Sequence, residues 1–205
     1  LKKKSEKDIA YAQDIIIGEL YKFFPKAIIH GGTAIWRCYR GNRFSEDVDA
    51  YINKDLAKIE KFFKALESNG FKIIKKRIKE NSIYSKLEFN STSTRFEATF
   101  QNKKPISKKY ETSESFFINI LTLSPGDLVL EKVEAYLNRK KIRDLYDIAF
   151  LLNYVENKAT VQDSLKKLIR NYEKPKDEAN LASIIIIGAI PNPNELLMEI
   201  KRWVK

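Results

Sequence analysis

Two short polar motifs in the first quarter of the chain hold residue types that suit phosphate and metal chemistry. The first is Gly31-Gly32-Thr33, which follows the apolar residues of a predicted strand. Glycine lacks a Cβ, so the backbone of this turn can approach a ligand closely. Thr33 is placed to cap a helix over residues 34–39, where an anion would meet unpaired backbone N–H groups. On its own this motif is weak evidence for a phosphate site.

The second motif is the pair Asp47 and Asp49, two residues apart in an alternating segment. Residues 48–52 predict a strand, so both carboxylates should face the same side of it. Mg²⁺ takes one or two carboxylates with water and phosphate oxygens, and two ions can hold the attacking and leaving oxygens of a displacement. An isolated Asp-x-Asp is more often a turn cap followed by a solvated strand residue, but the upstream glycine turn reverses that preference. Together the motifs indicate nucleotidyl transfer.

These residues resemble the motifs of the AbiEii/AbiGii-like toxins, a family within the DNA-polymerase-β-like nucleotidyltransferase superfamily. Residues 31–34 are similar to the family's Gly-Gly-Ser/Thr-Ala opening. Arg43, Ser45, Asp47 and Asp49 are similar to its Arg-x-Ser-x-Asp-x-Asp block, in the same order and at the same separation. The resemblance is carried by motifs between residues 28 and 152 and gives no guidance beyond residue 154.

A third block, further along the chain, is similar to the helical signature that separates these toxins from other superfamily members. It contains Lys132, Arg139, Asp144 and Asp147. On a helix, Lys132 and Arg139 share a face, so one surface could present two cations. Asp144 is equally placed to be part of the site or to cap the helix that follows. Asp147 could instead pair with Arg143 one turn back, an interaction of about 0.2–0.5 kcal/mol.

Polymerase-like sites take a third acid from a strand beside the Asp-x-Asp strand. Glu97 is the candidate, because it alternates with Phe96 and Ala98 and should face away from the apolar side of a strand over residues 94–101. The same pattern describes any solvent-facing strand glutamate. Glu88, in the preceding predicted strand, competes for the role.

The resemblance implies an Mg²⁺-dependent enzyme that takes a nucleoside triphosphate as substrate, with two metal ions. An in-line attack on the α-phosphorus would release pyrophosphate, and positioning and charge neutralisation would carry the catalysis. The implied roles are as follows: metal ligands Asp47, Asp49 and Glu97; catalytic residues Asp47, Asp49, Glu97, Lys132 and Asp144; nucleotide-binding residues Gly31, Gly32, Thr33, Arg43, Ser45, Lys132 and Arg139.

Composition points to a polyanionic partner. The 205 residues include 38 Lys and Arg against 27 Asp and Glu, a formal charge of +11. This charge favours nucleic acid, although lysine clusters at residues 72–79, 103–109 and 139–143 are equally consistent with a solvated surface. No aromatic residues interleave with these clusters, so base stacking is not indicated. A hydrophobic content of 43% with no apolar run long enough to span a bilayer predicts a soluble, cytoplasmic protein without a membrane partner.

The periodicities predict an α+β fold with a polymerase-β-like core, in which a mixed, mainly antiparallel sheet is flanked by helices. Helices are predicted at residues 5–24, 55–68, 160–172 and 194–204, with two more beginning near residues 124 and 143. Strands are predicted at residues 26–30, 48–52, 71–78, 82–90, 94–101 and 116–123. The run at 184–187 suits a buried helix better than a strand. We expect a nucleotidyltransferase core over residues 1–123 and a helical region over 124–205.

Three hypotheses follow. The resemblance favours a toxin-like enzyme that adds nucleotides to RNA, in some members tRNA, with a cognate antitoxin protein as partner. The alternatives are a nucleotidyltransferase acting on a small molecule or protein, and a catalytically silent module that binds nucleotide or RNA. The enzymatic hypotheses require both aspartates to lie within a few ångströms of the glycine turn, and neither to be buried against a guanidinium. His30 and Cys38, the only histidine and cysteine, are expected to be packed rather than reactive.

Overall fold

A computed structural model describes residues 1 and 3–205. The chain divides into two compact units. The sheet unit comprises Leu1–Arg40 and Phe44–Thr122, and the helical unit comprises Gly41–Arg43 and Leu123–Lys205. The three residues at 41–43 belong with the helical unit because Arg43 forms an antiparallel bridge with Ile185 and an ion pair with Asp147.

The sheet unit is built on one mixed sheet, whose seven strands in the described residues are β1 Ile28–His30, β2 Asp47–Tyr51, β3 Lys72–Ile78, β4 Ser82–Phe89, β5 Thr92–Thr99, β6 Ile106–Glu111 and β7 Phe117–Thr122. Their order across the sheet is β3-β4-β5-β2-β1-β7-β6. Strands β2 and β5 are parallel, as are β1 and β7, while the other four pairs are antiparallel. The predicted fold class, with its mainly antiparallel sheet, is confirmed.

Three helices accompany this sheet: α1 Lys4–Phe23, α2 Gly31–Cys38 and α3 Leu56–Ser68. The apolar faces of α1 and α3 pack on one side of the sheet, where Ile16, Leu20, Phe62 and Phe96 are almost fully buried. Asp55 caps α3 by accepting a hydrogen bond from the backbone N–H of Lys58.

Strict alternation leaves the opposite side of the sheet polar. In β2 and β5 the buried residues Val48, Ala50, Phe96 and Ala98 point into the core. Every second residue therefore points the other way, beginning with Asp47 in β2. This polar side of the sheet carries the residues of interest.

The helical unit contains α4 Pro125–Arg139, α5 Ile142–Leu151, α6 Gln162–Arg170, α7 Leu181–Ile184 and α8 Pro193–Val204, with short 3₁₀ turns at Leu152–Tyr154, Lys158–Thr160 and Glu178–Asn180. As the sequence predicts, α4 has Ser124 at its N-cap and proline at its first turn. Asn192 caps α8 in a capping box with Glu195. In the part of the chain that the structure describes, no helix combines the length and apolar character needed to cross a membrane.

Three local predictions are wrong. Strand β6 was not predicted, because lysines at two of its six positions made the segment read as a charged surface cluster. The run at 184–187 is not one helix, since α7 ends at Ile184 and Ile185 bridges to Arg43. Finally, α2 begins at Gly31 with His30 at its N-cap, so Thr33 lies inside the helix and does not cap it.

Candidate active site

Asp47 and Asp49 lie on the polar side of the sheet, as predicted. Each has a direct cross-strand neighbour in the parallel strand β5: Asp47 stands opposite Arg95, and Asp49 stands opposite Glu97. Since paired residues share a face, these four charged side chains form a two-by-two group. The three predicted carboxylates are thus brought to adjacent positions on two neighbouring strands.

The glycine turn lies directly against one of these acids. His30, the residue before it, pairs with Asp49 across β1 and β2. Gly31 has φ of +69°, and a Cβ at this position would lie within 3.0 Å of Asp49 Oδ2 and at 3.0 Å from Asp49 Cγ. Only glycine fits such a backbone conformation and approach without strain. The required closeness of the glycine turn to Asp49 is therefore present.

Thr33 ties this turn to the aspartate strand. Its fully buried hydroxyl donates a hydrogen bond to the backbone carbonyl of Asp47 and accepts one from Gln13 Nε2 at 3.3 Å. Gln13 also donates to the carbonyl of Ser45 at 2.8 Å. The Thr33 hydroxyl therefore positions the start of β2. Because both of its hydrogen bonds are made within the protein, a phosphate at this turn would be bound by the backbone.

Asp47 pairs with a guanidinium, whereas the enzymatic hypotheses require that neither acid be buried in such a pair. Arg95 holds both of its oxygens, through Nε to Oδ1 at 2.8 Å and through Nη2 to Oδ2. This hydrogen bonding raises the pKa of Arg95, so the guanidinium stays charged. The pair is not sealed in the core, because the Asp47 side chain is 17% exposed and that of Arg95 is 40% exposed. A ligand of Asp47 would have to displace an accessible side chain.

The structure separates the two candidates for the third acid. Glu97 is the register partner of Asp49 on an adjacent strand, whereas Glu88 lies on β4, one strand further from β2. Glu97 is 40% exposed, with an oxygen 3.7 Å from Arg95 Nη1. Within residues 1 and 3–205, no group of three or more His, Cys, Asp or Glu side chains is close enough together to hold a metal ion.

In the helical unit, the signature residues form a buried ionic cluster. Asp147 accepts hydrogen bonds from Arg43 Nε and Nη2, both at 2.5 Å, and lies 2.8 Å from Lys132 Nζ. Burial would raise the pKa of Asp147, but Arg43 and Lys132 outweigh it and hold the pKa below its usual range. The predicted alternative, a pair between Asp147 and Arg143, is wrong. The partner of Asp147 is Arg43, which is 104 residues away in the chain.

Asp144 belongs to the same cluster and is not a helix cap. The N-cap of α5 is Lys141, and the Asp144 carboxylate is fully buried. It accepts two hydrogen bonds from Arg139, each 2.7 Å, and lies 3.7 Å from Lys132 Nζ. Lys132 and Arg139 do share one face of α4, as predicted, and that face meets the aspartates of α5.

A family model of the nucleotidyltransferase AbiEii toxins of type IV toxin–antitoxin systems matches residues 18–202, nearly the whole chain. The chain belongs to the AbiEii toxin family. It is therefore a nucleotidyltransferase with a nucleoside triphosphate as substrate, and the family sets it in a toxin–antitoxin system whose second component is an antitoxin.

Solved structures agree with this assignment at the level of fold. JHP933 from Helicobacter pylori superimposes with a TM-score of 0.68 at 17% identity, covering 98% of this chain and 91% of that one. A second H. pylori protein, described as a candidate nucleotidyltransferase, gives a TM-score of 0.64 at 16% identity over 98% of this chain and 94% of that one. No curated protein matches the sequence.

In this AbiEii family member the site contains two residues that the sequence reasoning missed, Arg95 and Gln13. Arg95 stands two positions before Glu97 in an alternating strand, so its place on the same face was available from the sequence. Gln13 lies in the middle of α1 and gave no signal, because its contacts with Thr33 and Ser45 depend on how the helix packs. His30 is stacked on Tyr51 with ring centroids 4.0 Å apart, which agrees with a packed histidine.

Proposed function

We propose that this nucleotidyltransferase transfers a nucleoside monophosphate from a nucleoside triphosphate to an RNA acceptor, possible acceptors including tRNA, in an Mg²⁺-dependent reaction that releases pyrophosphate. One observation carries the proposal. The backbone at Gly31 lies against the Asp49 carboxylate, on the face where β2 and β5 also place Asp47 and Glu97. A phosphate held at the turn would thus lie beside carboxylates that suit a divalent ion.

The nucleotide's phosphates bind at the start of α2. The first backbone N–H groups of a helix have no partner within the helix, and Gly31 and Gly32 add no side chain of their own beside them. The N-cap residue His30 forms no side-chain hydrogen bond to them. Thr33 is proposed to bind a phosphate through its backbone N–H. Its hydroxyl donates a hydrogen bond to the Asp47 carbonyl and so positions β2. Ser45, which is half-buried and two residues before Asp47, is proposed to add a hydroxyl. Gln13 donates hydrogen bonds to both the Ser45 carbonyl and the Thr33 hydroxyl, which ties Ser45 to this turn.

Asp47 and Asp49 are the proposed Mg²⁺ ligands, with Glu97 as a third acid. The donor set fits the ion, because Mg²⁺ needs only one or two carboxylates when phosphate and water oxygens complete its shell. Bound Mg²⁺ would neutralise the charge that develops on the phosphate oxygens. Arg95, which holds both Asp47 oxygens, would have to release this carboxylate for an ion to bind there. Glu97 accepts the proton of the acceptor hydroxyl, a role that its partial exposure allows.

The cluster in the helical unit supplies ordered positive charge. Arg139, which is 44% exposed, is the proposed phosphate-binding cation. Lys132, for which the resemblance implies the same role, is buried 2.8 Å from Asp147, so we propose that it acts on the phosphates through its charge and not by direct contact. Asp144 and Arg43 are fully or almost fully buried and have their polar groups occupied by the cluster, so they act by holding Lys132, Arg139 and Asp147 in place. We assign them positioning roles.

RNA is the proposed acceptor because the net charge of +11 attracts polyanions. A small uncharged acceptor would gain nothing from this charge. The cytoplasm, where RNA and nucleoside triphosphates occur together, is the proposed location, and a cognate antitoxin protein is the proposed partner.

The test is incorporation of α-labelled nucleotide into total cellular RNA, compared between the wild type and Asp49→Asn. We expect label on RNA that depends on Mg²⁺, and a loss of about 100-fold or more in the variant, since an amide is a poor metal ligand. Asp163→Asn is the control, because the Asp163 side chain is fully exposed on α6. Label found only on small molecules or proteins would select the second hypothesis. Nucleotide binding without any release of pyrophosphate would select the third.

The proposed competition between Arg95 and the metal has its own test. Arg95→Gln should increase the affinity for Mn²⁺ measured by calorimetry without nucleotide, because Asp47 no longer has to leave a charged partner. A half-exposed ion pair contributes about 1 kcal/mol or less, so the gain is at most a few-fold. Asp47→Asn should lower the affinity in the same assay. Equal affinities in all three proteins would place the metal away from Asp47.

A further inference from the structure

A positively charged surface of the sheet unit, outside the proposed catalytic residues, lies on the polar side of strands β3 and β4. Lys75 and Arg77 alternate along β3, and both are exposed. In the register of the sheet Lys75 pairs with Lys86 and Arg77 pairs with Tyr84. Lys79 continues the alternation just after the end of β3. We call Lys75, Arg77 and Lys79 the basic row.

Cross-strand pairing connects this row to the proposed catalytic residues. Tyr84 pairs with Glu97, which pairs in turn with Asp49. The basic row and the aspartates are therefore on the same face, separated by three strand spacings, or about 14 Å. A chain of a few nucleotides could cover that distance.

The basic row also lines a cavity of about 350 Å³. Its other walls include Tyr84, Glu97 and Thr99. Lys75 Nζ lies 5.6 Å from the centre of the Tyr84 ring. The cavity thus places cations and an aromatic ring on one side and a proposed catalytic acid on the other, all within the sheet unit.

The basic row differs from Lys76, a neighbouring cation on the same strand that packs against a helix. Lys76 points to the apolar side, where its Nζ lies 2.9 Å from both Glu60 oxygens and 5.0 Å from the centre of the Phe63 ring. In the described part of the chain, Arg77 and Lys79 form no ion pair with a carboxylate. Lys76 thus contacts α3, whereas the side chains of the basic row are exposed on the other side of the sheet.

We propose that the basic row binds the phosphate backbone of the acceptor RNA strand and directs its terminal hydroxyl towards Glu97. This inference rests on the proposed function, because it concerns the acceptor of the same reaction. Successive cations of the row are about 6.5 Å apart along the strand, so the row extends over about 13 Å. That length suits a run of phosphates better than the compact tail of one nucleotide.

The experiment compares Arg77→Gln/Lys79→Gln with the charge-matched control Lys61→Gln/Lys64→Gln. Lys61 and Lys64 are exposed on α3, which packs on the opposite side of the sheet. Binding of a short, unstructured, fluorescent single-stranded RNA is measured by anisotropy over a range of salt concentrations. Binding of a non-hydrolysable nucleoside triphosphate is measured in parallel, and thermal unfolding checks that both variants are folded.

We expect the Arg77/Lys79 variant to bind RNA about tenfold more weakly than the control, with the slope of log affinity against log salt lower by about 1.4 for two lost phosphate contacts. Its affinity for the triphosphate should not change. Equal RNA affinity and slope in both variants would overturn the inference. So would an equal loss of triphosphate binding, since the row would then belong to the nucleotide site.

Failure of this inference can be told apart from failure of the proposed function. If wild-type protein labels RNA and the two double variants bind RNA equally, the function stands and the basic row is not its acceptor surface. If wild-type protein binds RNA through the basic row but labels no RNA with any triphosphate, the surface stands and the proposed reaction is wrong.

Discussion

Replacing Gly31 with alanine should damage both folding and catalysis, through one steric conflict. The φ angle of +69° lies in the left-handed region, which costs an L-residue about 1–2 kcal/mol. The new Cβ would also lie 3.0 Å from Asp49 Cγ and 3.1 Å from Asp49 Cβ. Carbon atoms in contact prefer about 3.5–4.0 Å. The glycine turn and the Asp49 side chain must therefore move apart by about 0.5–1 Å.

The two consequences have different sizes. The free energy of unfolding should fall by at least the backbone cost of about 1–2 kcal/mol, with the steric conflict added. Nucleotidyl transfer should fall by about 100-fold, because a displacement of about 1 Å in a reacting group is enough for such a loss. Activity should thus be lost under conditions where the variant is still folded.

Urea unfolding and labelled-nucleotide transfer measure the two effects on the same preparation. Gly18→Ala is the matched control, since Gly18 lies within α1 and a Cβ there would meet nothing within 4 Å. That control should be more stable than the wild type by about 0.5–1 kcal/mol, because alanine favours a helix. Its transfer activity should match the wild type.

A double-mutant comparison isolates the contact with the acid. In an Asp49→Ala background the carboxylate is absent and only the approach of the two Cβ atoms at 3.1 Å remains. Gly31→Ala should therefore cost less stability there than in the wild type, closer to the backbone cost of about 1–2 kcal/mol. The reasoning is refuted if Gly31→Ala unfolds at the wild-type urea concentration and retains transfer activity. An identical stability loss with and without the Asp49 carboxylate would refute the steric part alone.

Three further predictions concern the buried groups. Asp147→Ala should lower the free energy of unfolding by about 3–5 kcal/mol in urea titrations, because it leaves Arg43 and Lys132 buried without their carboxylate. Wild-type protein should lose stability as the pH falls through the lowered pKa of Asp147, while the contribution is complete above the ordinary value of 3.8, so the acid limb of a stability–pH profile should flatten in the variant. Burial raises the pKa of the Cys38 thiol to about 12, so alkylation by iodoacetamide at pH 8 should be slow in the folded protein and fast in urea.

Sequence periodicity predicted most of the fold because the hydrophobic pattern is strong at the elements that form the core. Alternation in β5 placed Glu97 on the outer face, and the N-cap at Ser124 and the end of α3 followed from local chemistry. Strand β6 was missed because its pairing with β7 supplies order that its own lysine-rich sequence does not indicate.

Partners within the site were much harder to predict than positions. Asp147 pairs with Arg43, 104 residues away in the chain, whereas local reasoning gave the neighbouring Arg143 as an alternative partner. Thr33 is predicted to cap α2 because threonine favours N-caps. The helix instead begins two residues before Thr33, at Gly31, and the Thr33 hydroxyl donates to the β2 backbone. Both errors arise because tertiary contacts override a local preference.

The two groups of aspartates differ in how readily their carboxylates could exchange a partner. Asp144 and Asp147 are fully buried, and each accepts two hydrogen bonds from a guanidinium, so removing Arg139 or Arg43 would leave a buried carboxylate short of donors. Such a cluster is suited to holding a fixed geometry and resists exchange of its partners. Asp47 has a half-exposed guanidinium as its partner, whose loss costs about 1 kcal/mol or less. Under the proposed function a divalent ion would replace that guanidinium on β2 at little cost, while the helical unit keeps its charges fixed.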